Sequence, residues 1–240
     1  MFNPGASSST VRILEQDVDL GADLPPGDVV RATEELVARL VESDWDERSG
    51  RWGIGDRGLG LLLVDGLLLR EVHLLSTWSA ELLGSGDLLR PSDVDGEFTL
   101  PVATEVAWTA LAPLKFAVLD ETFLAAACRH PTVLARLLGR AIERSKSLAV
   151  HEAVTNLKHV ETRLLFQFWH MAERWGRVGR NGVTVPLPLT HALLAKLVGA
   201  ARPSVTTALG RLAARGDLVK SDGDWLLNPA SRASVRALTE

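Results

Sequence analysis

Residues 189–219 of this 240-residue chain, LTHALLAKLVGAARPSVTTALGRLAARGDLV, prescribe two short helices and the turn between them. Thr190 is placed to cap the first helix, its hydroxyl accepting an early backbone N–H. Leu193, Leu194, Leu197 and Val198 give that helix one apolar face. Gly199 follows at once, a residue that turns a helix end through the left-handed conformation without steric cost. A second helix begins near Arg202-Pro203, where a first-turn proline forfeits no hydrogen bond. Val205, Leu209, Leu212 and Ala213 are its expected inner face, leaving Arg202, Ser204, Thr206, Thr207 and Arg211 outside. Residues 218–227 then read as two strand-like runs about Asp222-Gly223, a hairpin wing.

Two short helices around a glycine turn, the second displaying small hydroxyls and arginines, suit entry into the DNA major groove. Small side chains let the helix backbone approach. Arginine can fork onto guanine O6 and N7, and a threonine methyl can touch thymine. Charge supports a polyanionic partner for this half alone. Residues 1–135 carry 10 Lys/Arg against 22 Asp/Glu, while residues 136–240 carry 16 against 8.

Upstream, the pattern changes twice. From 11 to about 125, short apolar runs alternate with turn formers, as a β-sandwich or barrel requires. Asp65-Gly66 between two such runs reads as a hairpin turn. More runs lie at 80–83, 98–102 and 106–111, and 43–55 reads as a connection. Within 29–42, Leu36, Val37, Leu40 and Val41 recur at helical spacing, so a helix is expected there. From about 121 the period is helical. Leu134, Leu138, Ala141, Ser145 and Leu148 step by four and three, a seam like that of a coiled coil. About 25 unbroken helical residues make a rod of ~37 Å, long enough to pair with its copy. A second helical segment holds Leu157, Val160, Leu164, Phe168 and Met171, and 177–188 forms a linker or short hairpin.

In order of parts the chain resembles a Crp/Fnr-type transcription regulator, most specifically over the 189–219 segment. The resemblance implies an α+β fold: an N-terminal cyclic-nucleotide-binding-like β-roll (11–125), a dimerisation helix (126–157) and a C-terminal winged helix-turn-helix (158–240). It implies a homodimer on a pseudo-palindromic double-stranded DNA site, in the cytoplasm and away from membranes, with RNA polymerase as a further partner. Arg202 falls on the position that reads bases. Pro203 stands where the family often has an acidic residue, so sequence preference is expected to differ. Ser204, Thr206 and Thr207 fall on following contact positions, Arg211 lies on the same outer face, and Thr190 falls where the first helix meets phosphate. Ala201 stands where a capping serine would be favourable, a loss of ~1 kcal/mol unless compensated.

Gly84-Ser85-Gly86-Asp87-Leu88-Leu89 resembles the start of the family's phosphate-binding cassette, making Gly86, Asp87, Leu88 and Arg90 effector-pocket candidates. Thr104-Glu105-Val106-Ala107 resembles the strand that closes the roll. Ten residues before it, where cyclic-nucleotide binders carry an Arg-Ser or Arg-Thr pair, stand Val94-Asp95, with Asp93 and Glu97 nearby. Carboxylates there repel an anion, so ordinary cyclic AMP binding is not expected. Cys128, the single cysteine, closes no intrachain disulfide and disfavours an iron–sulfur sensor. His73, His130, His151, His159, His170 and His191 show no metal-ligand spacing. No metal, cofactor or catalytic residue is therefore expected, and no nucleophile elbow or phosphate loop suggests an enzyme. The rival to DNA binding is a ligand-binding or protein-interaction module whose winged helix touches no DNA.

Overall fold

Leu61, Leu62 and Leu63 are all fully buried, and only a strand covered on both faces satisfies such a run. The computed structural model, which describes residues 9–43, 58–75, 77–90, 104–221 and 223–237, shows how. The first elements are β1 (Ser9–Arg12), α1 (Ile13–Gln16), α2 (Pro26–Glu35), β2 (Val37–Ser43) and β3 (Gly60–Asp65). They are followed by β4 (Leu67–Leu74), β5 (Thr77–Gly84), β6 (Leu88–Leu89), β7 (Thr104–Ala110), β8 (Leu114–Leu119) and α3 (Glu121–Ala127). A five-stranded sheet has the order β1-β2-β8-β3-β6, and a three-stranded sheet the order β5-β4-β7.

Alternate residues of β3 and β8 serve two cores. Leu61, Leu63, Phe116 and Val118 meet Leu68 of β4 and Leu83 of β5, filling the space between the sheets. Leu62, Ala117 and Leu119 face the other way, onto Ile13, Ala32, Phe123, Val133 and Leu137. This double coverage explains why the amino-terminal runs lack polar alternation.

Two expectations change here. Asp65-Gly66 closes no hairpin: β3 and β4 lie in different sheets, and the turn carries the chain from one to the other. Of these two residues only Gly66 has positive φ (109°), whereas a type I′ turn needs it at both central residues. A Cβ at Gly66 would sit 2.3 Å from the Pro113 carbonyl oxygen. The expected helix through Val41 ends at Glu35, and Leu36 leads into strand β2. Leu36, Ala38 and Leu40 also alternate, and pairing of β2 with β1 and β8 selects that period over the helical one. Residues 43–55 and 98–102 are outside the described residues apart from Ser43, the last residue of β2.

Asp120 caps α3, its Oδ1 accepting from the Thr122 and Phe123 amides at 3.0 Å. The long helix α4 (Pro131–Thr155) follows, 25 residues beginning on a proline. Then come α5 (Val160–Trp175), β9 (Arg177–Gly179), β10 (Gly182–Val185), α6 (His191–Val198), α7 (Arg202–Ala214), β11 (Leu218–Ser221), β12 (Asp224–Leu227) and α8 (Ala230–Ala237). The chain forms two compact units, Met1–Thr77 with Glu81–Lys146 and Trp78–Ala80 with Ser147–Glu240, the boundary falling within α4. Among the described residues no helix is long and apolar enough to cross a membrane, and no group of three or more His, Cys, Asp or Glu is placed to hold a metal ion.

Candidate nucleic-acid interface

The second unit is built around α5, whose Leu164, Leu165, Phe168 and Met171 are buried. Helices α6 and α7 pack on it, beside a four-stranded sheet of order β11-β12-β10-β9. Residues 177–188 therefore contain a hairpin, closed at Gly182, where a Cβ would lie 2.2 Å from the Leu227 carbonyl oxygen. The β11–β12 hairpin pairs Ser221 with Asp224 across a turn that holds Gly223 at φ 94°. Asp222 of that turn lies outside the described residues.

The turn between α6 and α7 follows from local chemistry. Thr190 Oγ1 accepts from the Leu193 amide at 3.1 Å, and Gly199 ends α6 at φ 61°, ψ 46°. Arg163 of α5 then reaches into this turn. Its Nη1 donates to the carbonyls of Val198 (3.3 Å) and Gly199 (3.1 Å), and its Nε donates to Leu157 O (2.6 Å). One guanidinium thus satisfies carbonyls that a helix end leaves without partners. Nothing local in the sequence marks Arg163 for this role, because its partners lie up to 36 residues away. Replacing it by alanine is expected to cost about 1.5–3 kcal/mol, read as a lower urea midpoint for the second unit. Arg163→Lys should recover only part, since an ammonium cannot fork across three carbonyls.

Helix α7 has no side-chain cap at Ala201, and Pro203 removes one of the donors a cap would serve. Val205, Ala208, Leu209 and Leu212 are buried. Ala208 thus replaces the expected Ala213, which is exposed, because the i, i+3, i+4, i+7 set centres the inner face one step earlier. Thr190, Arg202, Pro203, Ser204, Thr206, Thr207 and Arg211 are all exposed. The Arg202 guanidinium has no partner among the described residues. The Thr206 and Thr207 hydroxyls donate to the carbonyls of Arg202 and Pro203, each at 3.1 Å. Thr206 Oγ1 also shares a hydrogen bond with His191 Nδ1 at 2.9 Å. Arg211 differs from Arg202: its Nη1 donates to Glu161 Oε1 at 2.8 Å. That hydrogen bond, helped by the backbone N–H of Glu161 itself, holds the Glu161 carboxyl below its ordinary range.

In the first unit, the turn carrying the effector-pocket candidates is bound by its own chain. Asp87 Oδ2 accepts from the Gly84 amide at 2.8 Å. Arg140 donates to the Gly86 carbonyl (3.4 Å) and forks onto Asp17, while Arg144 donates to Leu88 O (3.1 Å) and forks onto Glu81. Leu88 is half-buried and Arg90 exposed. Asp93, Val94, Asp95 and Glu97 lie outside the described residues. Along α4, Leu138, Ala141 and Ser145 of the expected seam are exposed, Leu148 is half-buried, and Leu134 packs against the amino-terminal core. Ile142, absent from the expected seam, is 48% exposed, and Leu138 is 63% exposed.

Comparison with known proteins locates this arrangement. Residues 162–230 match the Crp-like helix-turn-helix domain family. No curated protein matches the sequence. Among solved structures, a CooA mutant from Carboxydothermus hydrogenoformans superposes with a TM-score of 0.57 at 15% identity, covering 85% of this chain and 84% of that one. A CprK variant complexed with OCPA gives 0.55 at 15% identity, covering 89% and 94%. A transcriptional regulator of the CRP family from Thermus thermophilus gives 0.50 at 19% identity, covering 76% and 89%. Residues 162–230 are thus a Crp-like helix-turn-helix domain, carried by a chain with the fold of the Crp/Fnr-type transcription regulators.

Proposed function

We propose that the chain is a sequence-specific DNA-binding transcription regulator that acts as a homodimer and does not respond to cyclic AMP. The exposed outer face of α7 carries this reading, above all Arg202, whose guanidinium is uncommitted among the described residues. Arg202 reads a guanine through O6 and N7, and Thr190, at the amino end of α6, contacts phosphate. Ser204, Thr206 and Thr207 contact bases or backbone from α7, and Pro203 allows close approach without offering a hydrogen bond. Arg211, shared with Glu161, serves the backbone more weakly.

Homodimerisation is supported by the exposed apolar side chains of α4, where Leu138 and Ile142 stand one turn apart beside the small Ala141 and Ser145. Insensitivity to cyclic AMP is supported by the acidic residues at 93–97 and by the engagement of Gly86 and Leu88 with Arg140 and Arg144. Selection of bound fragments from random duplex DNA tests the whole reading. Two inverted half-sites about 10 base pairs apart are expected, with binding that weakens steeply as salt rises. Fragments without common sequence would sink it. Arg202→Ala is expected to cost about 1–3 kcal/mol on the selected site and to relax preference at one base pair per half-site. Equal losses on selected and random DNA would contradict a base-reading role.

A further inference from the structure

Helix α7 turns about 100° per residue, which places Pro203, Thr207, Gly210 and Ala214 along the centre of its exposed face. None of the four has a long or charged side chain. Arg202 and Thr206 flank this stripe on one side, Ser204 and Arg211 on the other. Thr207 is its one polar member, and its hydroxyl proton lies on the Pro203 carbonyl. A hydroxyl has a single proton, so Thr207 offers a duplex only an acceptor oxygen and a methyl group. Guanine presents only acceptors, O6 and N7, in the major groove, adenine and cytosine present amino donors, and thymine presents its O4 acceptor beside the C5-methyl. An acceptor oxygen finds no donor on guanine or on thymine, but thymine offers a methyl in compensation, and a methyl against that C5-methyl removes apolar surface from water.

Resting on the DNA-binding function proposed above, we infer that Thr207 is a specificity-determining residue that selects thymine by methyl contact and disfavours guanine at the position it faces. Arg202 then supplies the guanine contact at the edge of the half-site, and Thr207 the thymine contact at its centre. The Gly210 and Ala214 positions contribute closeness of approach and no polar readout.

Deoxyuridine substitution isolates the predicted contact, because it removes the C5-methyl and nothing else. The full-length protein is titrated against its selected duplex and against copies in which each thymine of both half-sites is replaced in turn. One thymine per half-site is expected at which the replacement weakens binding by about fourfold, the value of one buried methyl-sized group. That penalty should vanish in Thr207→Ser, which keeps the hydroxyl and lacks the methyl, and persist in Thr207→Val, which keeps the methyl. A stability defect changes all duplexes alike and does not produce this pattern. If no thymine is sensitive, or if the sensitivity persists in Thr207→Ser, the inference is overturned while the regulator reading stands. If the protein selects no duplex at all, the regulator reading fails and takes this inference with it.

Discussion

If the chain pairs through α4 as proposed, exchanging Leu138 and Ile142 together for glutamate is expected to leave each subunit folded while abolishing that pairing. Leu138 is 63% and Ile142 48% exposed on α4, and neither joins the two amino-terminal cores, so the double change spares them. Two like charges on each of two apposed helices would face one another in a desolvated seam, which costs far more than exposed charges do. The larger effect appears on DNA. A paired protein engages two half-sites at once, and the second engagement is intramolecular, worth about 10²–10⁴ in apparent affinity. The double variant should therefore sediment as a monomer and lose about that factor on a two-half-site duplex. Its affinity for one half-site should stay unchanged. Wild-type sedimentation together with wild-type binding would refute the proposed seam.

Trp225→Ala is the second large effect. Trp225 is 3% exposed, tilted against Phe168 with ring centroids 5.1 Å apart, and its Nε1 donates to the Leu189 carbonyl at 3.3 Å. Truncation leaves a cavity between the winged sheet and α5 and strands a buried carbonyl, at an expected cost of about 3–5 kcal/mol. That is a large share of the stability of a small domain. Amide exchange in α6 and α7 should accelerate strongly, and DNA binding should fail at temperatures where the wild type binds. Trp225→Phe keeps most of the packing and should retain much of the protection. If Trp225→Ala exchanges as the wild type does, Trp225 is no keystone of this unit.

The interface and the roll differ in how far local chemistry reveals them. At Thr190, Gly199 and Pro203 the reading from sequence agrees with the observed geometry: a hydroxyl cap, a left-handed glycine and a first-turn proline each act within a few residues of chain. Around Asp65-Gly66 local chemistry is not sufficient. A turn signal says that the chain reverses, not which strands it will pair with, and here the flanking strands belong to different sheets. The segment from Leu36 to Val41 is ambiguous for a related reason. Its apolar residues satisfy both periods, and the partners β1 and β8 lie elsewhere in the chain. Burial on α7 was misplaced by one residue, Ala208 for Ala213, since alanine reveals little about which way it faces.

Sequence by itself determined where α6 starts and stops, where α7 starts and that a hairpin follows them, because caps, positive-φ glycines and prolines act on immediate neighbours. Tertiary structure alone decided which cationic groups remain available. Glu161 takes Arg211 across 50 residues of chain and Arg163 is consumed by the turn, while the Arg202 guanidinium is left uncommitted among the described residues. Folding assigns such partners by proximity in space, a quantity that spacing along the chain does not encode.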